Sequence, residues 1–153
     1  DKALAYRSKQ VQLLVVTALG QAYLEAGKQE CAAERVQEAL AWADELGVPR
    51  APILLLVGRV AMARGQMPQA HAYFDEALSF FVGGQQKPME AHAHVSLASL
   101  KHATNDPSAA RPHIETATAL FVYMGAQWFA SRTIELAGQL GIRLPADEGS
   151  VSS

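Results

Sequence analysis

The residues of this chain whose types invite chemistry are five histidines (His71, His92, His94, His102 and His113), one cysteine, Cys31, and the pair Gly83-Gly84. A metal ion needs several ligands converging on one point. On a helix His92 and His94 project about 200° apart, and His94 and His102 are separated by about two turns. No cysteine or paired carboxylate joins them at ligand spacing, so they read as surface or interhelix histidines. A catalytic thiol needs an activating histidine or a helix N-terminus. Cys31 falls near a helix start but has no such histidine beside it, and next to Ala32 it is expected to be a buried, inert thiol. Gly83-Gly84 follows a helical pattern and lacks the further Gly and Lys of a phosphate-cradling loop, so it reads as a turn. A nucleophile elbow, an H-E-x-x-H pair and a dinucleotide fingerprint are all missing. The chain is therefore expected to be no enzyme, with no catalytic residue, no cofactor and no metal.

The elements that carry these residues follow from composition. The chain has 153 residues, net charge −2, 50% hydrophobic and 18% charged residues. Its 28 alanines and 17 leucines favour helix throughout. The pI of about 6.2 is far from the basic balance of a nucleic-acid-binding domain. No apolar run reaches the length of a membrane span. One cysteine cannot close an internal disulfide, which excludes a disulfide scaffold and points to the cytoplasm. The first residue is Asp1 rather than Met, so the chain reads as a piece excised from a longer protein.

Self-comparison organises the helices. Three segments align without gaps over 27 positions, starting at Leu13, Ala51 and Ala91, offsets of 38 and 40 residues. Position eight holds Gly20, Gly58 and Ala98; position twenty, Ala32, Ala70 and Ala110; position twenty-seven, Ala39, Ala77 and Ala117. Position twenty-four holds the larger Val36, Phe74 and Ile114, and position fifteen Gly27, Gly65 and Asn105. Small residues let two antiparallel helices approach closely, the larger one fills the space between them, and Gly or Asn suits a left-handed helix cap. A helix pair cannot bury its stripe alone, so neighbours stack into a solenoid. Helices are expected at about 3–26, 30–46, 50–64, 67–82, 88–104, 107–124 and 127–140. Asp106-Pro107 reads as an N-cap with proline first in the helix. Pro112 predicts a kink or a late start of the sixth helix. The last helix reads as a cap with Arg132 and Glu135 outward. From Ile142 on, the Pro, Gly and Ser residues without periodicity read as a tail.

These positions resemble the tetratricopeptide repeat, with Tyr23 matching the family's aromatic at position eleven and "GQMPQAHAYFDEA" over Gly65–Ala77 its turn and second helix. The usual Trp at position four is Val16, Leu54 and His94 here, and the usual Pro at thirty-two is Asp44, Val82 and Val122. The repeats exceed the common 34 residues by about one helical turn, which is similar to arrays of large bacterial signalling regulators. The resemblance implies an all-α, right-handed solenoid of about three helix pairs. It covers residues 1–125 as repeats 1–48, 49–87 and 88–125; a capping helix at 126–141 completes a domain of residues 1–141, followed by a tail at 142–153. It also implies a concave groove for a peptide or protein, lined by Leu14, Thr17, Gln21 and Leu24, by Pro52, Leu55, Arg59 and Met62, and by His92, Val95, Ser99 and His102. Leu55, Arg59 and Met62 are expected to form one exposed patch. Two functions stay open. One is a scaffold that binds a partner in the groove. The other is a regulatory or oligomerisation arm of a larger bacterial signalling ATPase or transcription regulator, its groove covered by the parent's own domains. Neither involves nucleic acid or membrane directly.

Overall fold

The structure, a computed structural model, describes residues 1–144. Its described residues form seven α-helices and no strand: α1 (Lys2–Glu25), α2 (Gln29–Leu46), α3 (Ala51–Ala63), α4 (Met67–Gly83), α5 (Lys87–Ala103), α6 (Pro107–Tyr123) and α7 (Gln127–Gln139). They divide into two compact units, Asp1–Ala77 and Leu78 onward, with the boundary inside α4.

In every case the chain stops a helix the same way. A residue one or two places past the helix is left-handed, at Gly27, Gly47, Gly65, Gln85, Asn105, Gly125 and Gly141. The next amide donates back to the carbonyl five residues earlier: Lys28 to Tyr23, Val48 to Ala43, Gln66 to Ala61, Gln86 to Phe81, Asp106 to Lys101, Ala126 to Phe121 and Ile142 to Ala137, at 2.8–3.1 Å. This Schellman closure satisfies carbonyls a helix end would leave orphaned. The turn after α4 departs from expectation. Gly83 ends the helix and Gly84 follows it, yet the left-handed position (φ 55°) falls on Gln85. A Cβ in that conformation crowds the following carbonyl, at a cost of roughly 1–2 kcal/mol.

Two N-termini are closed by side chains. The carboxylate of Asp1 accepts from the Ala3 amide at 3.0 Å, and that of Asp106 from the Ala109 amide at 3.2 Å. α6 begins at Pro107 and continues through Pro112, so its start is not delayed. Pro112 is exposed inside α6, where it leaves one backbone bond unmade and sets its ring against the carbonyl four residues earlier.

In the first unit α1 and α2 form an antiparallel hairpin, tied by the Lys9–Glu45 ion pair at one end. α3 packs on both, and Arg64 Nε lies 3.1 Å from Glu30 Oε1 of α2. A Cβ on Gly20 would stand 3.2 Å from Val36 Cγ1 and 3.5 Å from Leu56 Cδ2. On Gly58 it would stand 2.4 Å from Phe74 Cε1, inside the ring's own volume. Ala32, Ala39, Ala70, Val36 and Phe74 are all buried at these crossings.

In the second unit α5 packs on α6 and α6 on α7. One cluster joins Ala98, Ala110, Ile114 and Ala137, and another Ala91, Ala117, Phe121 and Ala130. Ile142 and Leu144 belong to the first cluster, so the segment expected to be a free tail from Ile142 is packed through Leu144 because its two apolar side chains cover α7's end. The rest of that segment lies outside the described residues. α7 keeps the register of the first helices: Ala130 and Ala137 stand 39 residues after Ala91 and Ala98 and are buried as they are.

Two predictions follow from this packing. A glycine-to-alanine change inside a helix ordinarily stabilises by roughly 0.5–1 kcal/mol, and Gly138→Ala, with nothing within 4 Å of the added methyl, is expected to do so. Gly58→Ala is expected to reverse that sign and destabilise by about 1–3 kcal/mol, because the methyl meets the Phe74 ring. Urea melts of the two variants check the contrast. In the same melts Gln85→Gly raises stability by about 1 kcal/mol, since glycine adopts the left-handed cap without strain.

Candidate partner-binding cleft

In the second unit α5 and α7 flank a cleft of about 250 Å³ whose floor is Phe121 of α6. α5 contributes His92 and Val95; α7 contributes Phe129, Arg132, Thr133, Glu135, Leu136 and Gln139. The helices are held in place by small buried residues, Ala91 and Ala98 on α5 and Ala130 and Ala137 on α7. The larger residues next to them in sequence therefore face the opening.

The cleft is aromatic. Phe121 and Phe129 stack with centroids 5.3 Å apart, and the His92 ring meets both edge-on, at 5.2 and 4.8 Å. Trp128 meets Phe129 edge-on at 4.9 Å and is itself 66% exposed. The Arg132 guanidinium lies 5.6 Å from the Trp128 ring and 3.6 Å from the Glu135 carboxylate. Edge-to-face packing of this kind holds the rings in one geometry. Burial among them pushes the His92 imidazole below its ordinary value of 6.5, so at neutral pH it is an uncharged ring with one donor and one acceptor nitrogen.

A second polar cluster lies between α5 and α6. His94 Nδ1 and His113 Nδ1 are 2.9 Å apart, so one donates to the other. Glu90 is buried, with Oε1 4.0 Å from His94 Nε2 and Lys87 Nζ 3.3 Å from Oε2. Burial lowers the His94 pKa, and the Glu90 charge partly offsets this. Among the described residues no three His, Cys, Asp or Glu side chains are placed to hold a metal ion.

The residues predicted to line one groove differ in exposure within each unit. His92 and Val95 line the cleft; Ser99 is half-buried further along α5, and His102 is exposed in its last turn. In the first unit Leu14 is exposed, while Thr17, Gln21, Leu24 and Met62 are half-buried and Pro52 is exposed. The Thr17 hydroxyl donates to the Leu13 carbonyl at 2.7 Å. Arg59 is exposed as expected and donates to Gln21 Oε1 at 2.9 Å, which ties α3 to α1. Leu55 corrects the expectation of a Leu55–Arg59–Met62 patch: it is buried, as are all five residues from Ile53 to Val57. Neighbours cover α3 on more sides than its spacing pattern shows. Cys31 is also corrected. It is exposed, because Ala32 takes the inward position of that turn and turns Cys31 away. Sequence reasoning missed Phe129, Arg132 and Leu136; extending the self-comparison one repeat further, to Ala130, would have found them.

No described helix is long and apolar enough to cross a membrane. No known protein-family model matches this sequence, and no curated protein does.

The two lowered histidines set a pH dependence. Their folded pKa values lie below 6.5, so the unfolded chain takes up protons first as pH falls. Their stabilisation is complete above 6.5 and declines as pH drops below it. Thermal melts between pH 8 and pH 5 are expected to show falling stability, with a shallower slope in His92→Gln. An equal slope in the variant would contradict the assignment to His92.

Proposed function

We propose that this chain is a non-catalytic protein-interaction module, a scaffold of tetratricopeptide-like helix pairs that takes a segment of a partner protein through the cleft between α5 and α7. The observation that carries the reading is the cleft itself. A rigid, partly exposed cluster of His92, Phe121, Phe129 and Trp128 offers large apolar area at little conformational cost, which is how protein interfaces build their anchors. Its volume suits one bulky apolar side chain of the partner. Arg132, Glu135 and Gln139 on the rim supply polar contacts for the backbone or neighbouring side chains of such a segment.

The right-handed solenoid belongs to this proposal. Buried small residues at positions eight, twenty and twenty-seven, and left-handed caps at position fifteen, support it. A cytoplasmic setting fits an exposed, single Cys31 that stays reduced. The second reading, an arm docking on other domains of a larger bacterial signalling ATPase or transcription regulator, gains support from the bare apolar face of α1.

Selection from a random peptide library, followed by amide-shift mapping of the selected peptide on the protein, tests the module. The expected result is a shared aromatic or aliphatic anchor and shifts centred on His92, Val95 and Phe129. Phe129→Ala is then expected to weaken binding about tenfold or more while helicity is retained. Peptides that shift none of these residues would overturn the cleft assignment.

A further inference from the structure

We propose that two copies of this chain associate through their α1 helices, packed antiparallel about a two-fold axis. On the side turned away from α2, α1 carries Leu4, Val11, Leu14, Val15 and Leu19 exposed, with Leu4 at 69% and Leu14 at 71%. Apolar residues scattered singly on a surface need no explanation, but Val11, Leu14, Val15 and Leu19 stand three to four residues apart and so form one stripe, with Leu4 about two turns before it.

The repeat identifies that patch as a packing surface. Val15, Leu19 and Ala22 stand at the positions that Ile53, Val57 and Val60 hold in α3, all of them buried. Val57 and Val60 share a crevice with Ala33 and Val36 of α2, so in α3 a helix covers this face. In α5 the same positions are Ala93, Leu97 and Leu100, again buried. Of the three helices α1, α3 and α5, α1 is the one that leaves large apolar side chains exposed on this face.

Charge selects the occupant. Lys2, Arg7 and Lys9 lie in the first third of α1 and Glu25 in its last turn. Parallel pairing of two α1 helices would set cation against cation. Antiparallel pairing centred between Leu14 and Val15 brings Arg7 of each copy within about 5 Å, along the axis, of Glu25 of the other. Arg7 has no ion-pair partner among the described residues, whereas Lys9 is already held by Glu45. Unlike charges beside an apolar seam fix orientation, and such an isologous contact closes at two copies. α1 contributes nothing to the cleft of the second unit, so this inference stands or falls independently of it.

Sedimentation equilibrium of the 153-residue chain at tens of micromolar is expected to give twice its 16.4 kDa mass. Leu14→Glu should yield a monomer with unchanged circular dichroism, since the side chain is 71% exposed in its own chain. Arg7→Glu should weaken the dimer several-fold, and Arg7→Glu combined with Glu25→Arg should restore it. A monomeric parent chain would overturn the proposal and assign the face to another occupant, such as a helical hairpin from a longer protein. So would a dimer that survives Leu14→Glu, masses rising beyond two copies, or a double reversal that fails to restore association.

Discussion

Both units depend on helices that cross where one of them has almost no side chain. At Gly58 the Phe74 ring occupies the volume a methyl group would take, and at Gly20 Val36 Cγ1 and Leu56 Cδ2 stand 3.2 and 3.5 Å from where that carbon would lie. In the second unit Ala98 meets Ala110, Ile114 and Ala137. Each crossing matches a minimal residue on one helix with a larger one on the next. Interiors packed at crystal density have no slack with which to exchange those roles. The distance between helices is thereby set, and with it which side chains on each helix are left facing outward.

Those crossings were legible in the sequence because they recur. Gly20, Gly58 and Ala98 stand at one position of the repeat, with Val36, Phe74 and Ile114 sixteen positions later, and all six are buried. The left-handed caps at Gly27, Gly65 and Asn105 were legible for the same reason, since few residues tolerate that conformation. Periodicity names the inward positions of a helix but not how many neighbours surround it. Spacing alone therefore puts Leu55 on a face with the exposed Arg59, although α3 is buried at five successive positions. Proximity to the buried Ala32 does not bury Cys31, because one residue on a helix is a turn of about 100°. At Gln85 the strained position is set by where α4 ends and not by residue type, so the glycine pair before it does not mark it.

The cleft inherits its geometry from this small-residue packing. Ala130 and Ala137 seat α7, and the same helix then carries Phe129, Arg132 and Leu136 to the opening. On α5, Ala91 and Ala98 do the same for His92 and Val95. The aromatic contacts among His92, Phe121 and Phe129 are a consequence of where the backbones lie, and they hold an uncharged histidine against two rings. Half of this site was visible from the repeat and half was not. α5 matches the first helices of the earlier pairs in full, whereas α7 matches only at a few small positions, with no second helix following it among the described residues.

The close crossing at Gly58 is open to direct observation by proton NMR. Its α-protons lie against the face of Phe74, so the close-packed register predicts nuclear Overhauser contacts from Gly58 Hα to the Phe74 ring protons and a ring-current shift of those α-protons away from their ordinary helical position. Contacts from Gly20 Hα to the Val36 methyls should accompany them. Ordinary helical shifts at Gly58 with no contact to Phe74 would mean that α3 and α4 do not approach this closely, and the small-residue register would not be what positions the helices.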